Sequence, residues 1–168
     1  MRALYLFSVW IHILAATIWI GGMFFLILVV VPWLRGGGQR QAGALLRETA
    51  SRFRTIAWVC FAILLLTGTF NLWVRGVRFG DFANPDWLAS PFGSTVLAKL
   101  VVFAIVLAMS ARHDFVIGPR ATVAIERDPL SAQAQKLRRQ ASLHGRTNAL
   151  LALVLVALAV MLVRGSLW

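Results

Sequence analysis

The chain holds 168 residues, 60% of them apolar and 14% charged, with 17 Lys and Arg against 6 Asp and Glu. Soluble domains run at about 45–50% apolar and about 25% charged, which excludes an ordinary water-soluble enzyme, a disordered chain and a disulfide scaffold. The net charge of +11 lies between long apolar runs rather than across one surface, so it does not point to nucleic acid.

A hydrocarbon layer about 30 Å thick needs roughly 20 apolar helical residues to cross it. Four segments meet that length, at about residues 3–34, 55–74, 93–117 and 147–163. They predict an all-α, integral membrane four-helix bundle, a single membrane domain over residues 1–168. The first run is about twice the length of a signal-peptide core and has no small-residue cleavage site ahead of its arginines, so it reads as a retained span. The first connection, residues 35–54, opens on Gly36-Gly37-Gly38 and holds Arg35, Arg40, Arg47, Arg52 and Arg54. The second, residues 75–92, carries Gly76, Gly80, Pro85 and Pro91, which is loop chemistry. Its Arg75 and Arg78 are offset by Asp81 and Asp86. The third, residues 118–146, adds Arg120, Arg127, Lys136, Arg138, Arg139 and Arg146.

The positive-inside rule then predicts cytoplasmic loops at 35–54 and 118–146. Both termini fall on the outer (periplasmic) side of a bacterial-type inner membrane. Trp33 and Trp58 near the inner boundary, and Trp73, Trp87 and Trp168 near the outer one, fit interfacial anchors. Trp19 falls at mid-membrane instead. Asp128-Pro129 predicts a helix start with proline at the first position, from which the fourth helix runs out of the cytoplasm into the bilayer.

Ionisable groups inside a span are costly unless paired or hydrated, so each is a site candidate. At about 100° per residue, Tyr5, Ser8, His12, Ala16, Trp19 and Met23 share one face of the first helix. Cys60, Leu64, Thr67 and Asn71 align on the second, beside Gly68. Thr95, Lys99, Val106, Ser110 and His113 share a face of the third, and His144 and Asn148 align at the start of the fourth. His12 lies about eight residues from the outer end of its helix, roughly 12 Å, and Lys99 about six residues, roughly 9 Å. Depth thus predicts an outer site of His12, Lys99 and Asn71, and an inner cluster of His113, His144, Arg112, Asp114 and Arg146. Simpler roles compete: His12 bonding to a neighbouring helix, Lys99 snorkelling outward, His113 and His144 as interfacial residues. Cys60, Met23, Met109 and Met161 read as packing. No Ser/His/Asp constellation, zinc-spaced Cys/His set or phosphate-binding glycine loop points to hydrolysis.

WIHILAATIWIGGMFF followed by VVVPWL resembles the first helix of the copper resistance protein D (CopD) domain, with its histidine, its W-x-G-G and its later proline. RFRTIAWVCFAILLLTGTFNLW, with Thr67-Gly68 and Asn71, resembles the next CopD helix. SPFGSTVLAKLVVF is similar to that family's loop-to-helix entry, with Gly93 and Lys99. The resemblance covers roughly residues 9–115. A second resemblance is to HemJ, a four-helix membrane protoporphyrinogen oxidase family that carries haem b. There His12, Trp19, Lys99 and His113 match family positions, and Arg146 and Asn148 match its Arg-x-Asn before the last span. Beyond it the chain reads Asn148-Ala149-Leu150, where that family has an acidic residue and a proline.

These resemblances imply haem b held between the helices for redox, electron-transfer or tetrapyrrole-handling work. His12 is then the first axial ligand, with Lys99 opposite it or near the propionates, and His113 with His144 as an alternative pair. Asn71, Trp19 and Arg146 complete the cofactor surroundings. The CopD resemblance alternatively implies copper passage across the membrane, with His12, His113 and His144 as candidate metal ligands. Cuprous ion prefers soft thiolate and thioether ligands, and this chain has one cysteine and scattered methionines. A third reading is a non-catalytic assembly subunit. The implied partners are the lipid bilayer, a redox partner or porphyrin, and a second copy of the chain in a homodimer. Whether the protein is an enzyme stays open between these readings.

Overall fold

The computed structural model describes residues 1–32, 39–128 and 130–165, with residues 39–47 and 126 as backbone. Trp33, Arg35, Gly36-Gly37-Gly38, Pro129 and Trp168 lie outside the described residues. Helix α1, Arg2–Phe25, passes into a π-helical turn at Leu26–Val30. Helix α2 spans Gln39–Val74. A 3₁₀ turn at Phe79–Ala83 and the short α3, Pro85–Ala89, lead to α4, Pro91–Arg112. A second π-helical turn at His113–Ile117 continues into α5, Gly118–Arg127, and α6 closes the chain at Ala132–Arg164. The described residues contain no strand. Four helical stretches are long and apolar enough to cross a membrane: Arg2–Val30, Glu48–Val74, Pro91–Ile125 and Ala132–Arg164. The protein is therefore an all-helical, multi-pass membrane protein.

Both π-helical turns have the same cause. A proline ring presses on the carbonyl four residues before it and supplies no N–H. Pro32 faces the carbonyl of Leu28, and Pro119 that of Phe115; each of these is the middle residue of its π-helical turn. The helix widens there by one residue rather than breaking.

The connections are more helical than the sequence suggests. Residues 39–54, expected as loop, form the first turns of α2. They are rich in Arg, Ala, Gln and Leu, which are good helix formers, and Arg52 pairs with Glu48 one turn earlier at 2.6 Å. Helix α2 ends in a Schellman turn: Val77 N–H bonds to the Leu72 carbonyl, Gly76 N–H to that of Trp73, and Gly76 takes φ +91°. Asn84 and Ser90 then cap α3 and α4, each with proline at the first helical position. Ser90 Oγ accepts the Gly93 N–H at 3.0 Å, so the third span starts at Pro91, two residues before the expected boundary. Ser90→Ala is expected to cost about 1 kcal/mol, read by thermal unfolding in detergent, with Ser90→Thr, which keeps the hydroxyl, close to wild type. The fourth helix starts after Ser131, whose Oγ accepts the Ala134 N–H at 3.2 Å. Asp128 instead closes a turn through its bond from Leu130 N–H.

The chain divides into two compact units, residues 1–83 and 84–168. In the first, α1 packs antiparallel on α2, with Ala15, Trp19 and Met23 buried together with Ala57, Cys60, Phe61 and Leu64. Trp19 meets the Phe61 ring edge-to-face at 5.0 Å, and Phe61 meets Trp58 at 5.5 Å. In the second, α4 and α5 pack on α6 through small residues; Ala134 and Ala152 are wholly buried. Small side chains let helix backbones approach closely, the packing that stabilises helices in lipid. Large apolar residues such as Leu66, Leu150 and Val163 face outward, as lipid allows.

Candidate functional site

Helices α1 and α2 meet along a polar seam. His12 Nδ1 lies 2.7 Å from Thr67 Oγ1. Thr67 Oγ1 donates to the Ile63 carbonyl at 2.6 Å. A hydroxyl has one proton and a carbonyl can only accept. The Thr67 proton is committed to Ile63, so Thr67 accepts from His12 Nδ1–H. In the neutral ring the lone pair is then on Nε2, the arrangement that suits an imidazole ligand. Gly68 lets the ring lie close against α2, because a methyl group there would sit 3.4 Å from His12 Cε1.

Nearer the end of the hairpin, Arg75 Nε donates to the Tyr5 hydroxyl at 3.2 Å. Ser8 and Asn71 lie between these two bonds, one turn from His12 and from Thr67 respectively. Ser8 Oγ and Asn71 Oδ1 are buried and have no hydrogen-bond partner among the described residues. Below His12 the seam is closed by the Trp19–Phe61 contact. Of the residues the sequence singled out, His12, Asn71 and Trp19 thus share one seam. Thr67 was aligned with Asn71 but not assigned to the site. Its signal was the Thr67-Gly68 pair, a hydroxyl beside a gap on the face opposite His12.

The other candidates belong to the second unit. Lys99 is half-buried on α4. Asn148 donates from Nδ2 to Ser110 Oγ at 2.9 Å, joining α6 to α4, while its Oδ1 is buried without a partner among the described residues. His144 Nδ1 donates to the Gln140 carbonyl at 3.0 Å. His113 Nδ1 bonds to Asp114 Oδ1 at 2.9 Å. Of the expected inner cluster, His113 and Asp114 are joined by that bond, and Arg112 and Arg146 are exposed. His113 opens the second π-helical turn with its own N–H still on the Met109 carbonyl, so the stripe through Lys99 and Ser110 runs as far as His113 and the register changes beyond it. All three histidines thus have Nδ1 on an oxygen: Thr67 Oγ1, Asp114 Oδ1 and the Gln140 carbonyl. Among the described residues no three His, Cys, Asp or Glu side chains converge as a metal cage.

The family model for Copper resistance protein D (CopD) matches residues 47–162, more than half of the chain. The resemblance read from the sequence covered residues 9–115, so the two overlap on α2 and α4, and the family match extends through most of α6. A protein of Aquifex aeolicus (strain VF5), bearing only the name "Uncharacterized protein", is 30% identical over 161 residues, 95% of this chain and 94% of its own. That likeness extends over α1. No solved structure matches significantly.

Proposed function

Because the chain belongs to the CopD family and crosses the membrane with four helices, we propose that it passes copper ions across the bilayer, with His12 as a ligand inside the first span. The observation that carries this reading is the chain of bonds from His12 through Thr67 to Ile63, which fixes the ring so that Nε2 is the donor atom. Imidazole is a suitable copper ligand. A transported ion needs sites strong enough to enter and weak enough to leave. Separate imidazoles at His12, His113 and His144, each with its Nδ1 on an oxygen, suit a cargo handed onward better than a stored one. The arginine-rich helix ends support a cytoplasmic placement for those ends and an inner-membrane location.

One observation favours a second reading, haem b held by His12 for electron transfer or tetrapyrrole handling. A porphyrin supplies four of the iron's ligands, so a single oriented imidazole suffices, and His12 stands on a seam with no cage of ligating side chains among the described residues.

The deciding experiment uses protein purified after copper- and haem-replete expression. Its metal content and absorption spectrum are measured, followed by copper flux into liposomes containing it. Bound copper and protein-dependent flux without a Soret band support the copper reading. A Soret band with no flux replaces it by the second, and neither copper nor haem removes both.

A further inference from the structure

At the end of the second unit, beyond His113, a groove of about 680 Å³ runs between α5 and the first turns of α6. Its walls result from helical spacing. Arg120, Val123 and Arg127 recur at i, i+3 and i+7 on α5, and Lys136, Leu137 and Gln140 form the facing stripe on α6. The three cations lining the groove are exposed, and none is in an ion pair with a described residue. Among the described residues no carboxylate lines it. The floor between the cations is apolar.

Depth adds the second constraint. The stretch from Pro91 to Ile117 is about 40 Å long at 1.5 Å per residue, enough to cross the hydrocarbon layer. Arg120, three residues further, ends a stretch of about 45 Å from Pro91, which matches the roughly 40–45 Å of a bilayer with both headgroup layers and sets Arg120 at the polar edge of one leaflet. The groove thus begins where lipid phosphates lie and rises toward water. Guanidinium groups match phosphate oxygens by paired hydrogen bonds, and basic pockets between membrane helices bind anionic headgroups.

We propose that this groove is a binding site for an anionic phospholipid, with Arg120, Arg127 and Lys136 taking the phosphate headgroup and Val123 and Leu137 lying against its apolar part. The assignment is independent of the ligand at His12. It is tested with the full chain in nanodiscs of equal parts phosphatidylcholine and phosphatidylglycerol, released for native mass spectrometry to count retained lipids. The wild type is expected to retain phosphatidylglycerol over phosphatidylcholine. The triple variant Arg120→Gln, Arg127→Gln, Lys136→Gln is expected to lose that preference, at about fivefold per cation removed. Arg138→Gln with Arg139→Gln, which lie outside the groove on the same helix, are expected to keep it. Equal retention of the two lipids by the wild type overturns the proposal. So does a comparable loss in the Arg138, Arg139 variant, because net charge then explains the effect. Displacement of the lipid by millimolar glycerol phosphate also overturns it, since the site is then one for a soluble phosphate.

Discussion

Alanine in place of His12 is expected to abolish the bound metal or haem, and valine in place of Thr67 to weaken its binding by about 10–100-fold. The second substitution is the more informative. Valine keeps the branched shape of threonine and removes only the oxygen that accepts the His12 Nδ1 proton. The ring then has two choices. It can keep the proton on Nδ1 with no partner, at a cost of about 1–3 kcal/mol, or move it to Nε2, which removes the ligand lone pair. Either choice weakens binding without deleting the ligand. Thr67→Ser retains the hydroxyl and is expected to bind within a few-fold of the wild type. Competition against a copper chelator, or haem titration, gives the affinities, and ¹⁵N NMR of the His12 ring reports the tautomer independently of any ligand. A Thr67→Val protein with wild-type affinity and an unchanged tautomer would show that the seam is structural only.

The largest expected effect on folding is at Gly93. This glycine is buried at the first turn of α4, against the corner formed by α3. A methyl group on it would overlap the Trp87 carbonyl oxygen and lie 3.0 Å from Ser90 Oγ. Both atoms are fixed: Ser90 Oγ donates to that carbonyl at 2.5 Å and accepts the Gly93 N–H at 3.0 Å. Backbone cannot swing aside as a long side chain can, so Gly93→Ala must open the corner and break both bonds. The expected loss exceeds the about 1–3 kcal/mol of ordinary overpacking, seen as a large fall in thermal midpoint in detergent or as failure to accumulate in the membrane. Gly145→Ala is the control. Nothing lies within 4 Å of its would-be Cβ inside α6, so alanine is expected to stabilise by about 0.5–1 kcal/mol.

The spans were legible because apolar length is a direct consequence of bilayer thickness. The seam was partly legible. The 3.6-residue period placed Ser8, His12 and Trp19 on one face, and Thr67 with Asn71 on another, and the structure joins those faces. The hydroxyl-to-carbonyl bond that sets the His12 ring is not a pattern along the chain, since it depends on one rotamer of Thr67. Residues 39–54 were misread because arginine density was taken for loop, whereas arginine and glutamine are as helical as they are polar. His113 keeps the register of the Lys99 stripe, since its N–H bonds to the Met109 carbonyl, and the π-helical turn ahead of Pro119 begins there. An extra residue in that turn rotates the downstream helix by about 100°. A proline shortly past a helical stripe is a readable warning that the stripe ends.

Pairing Tyr5 with Arg75 and His12 with Thr67 admits one vertical alignment of α1 against α2. Sliding either helix by one turn, about 5.4 Å, would break both of these bonds at once. A bilayer that thins or thickens therefore cannot be met by slippage within this hairpin. The pair must lean as one rigid plank, and lipid thickness is converted into tilt while the imidazole keeps its partner.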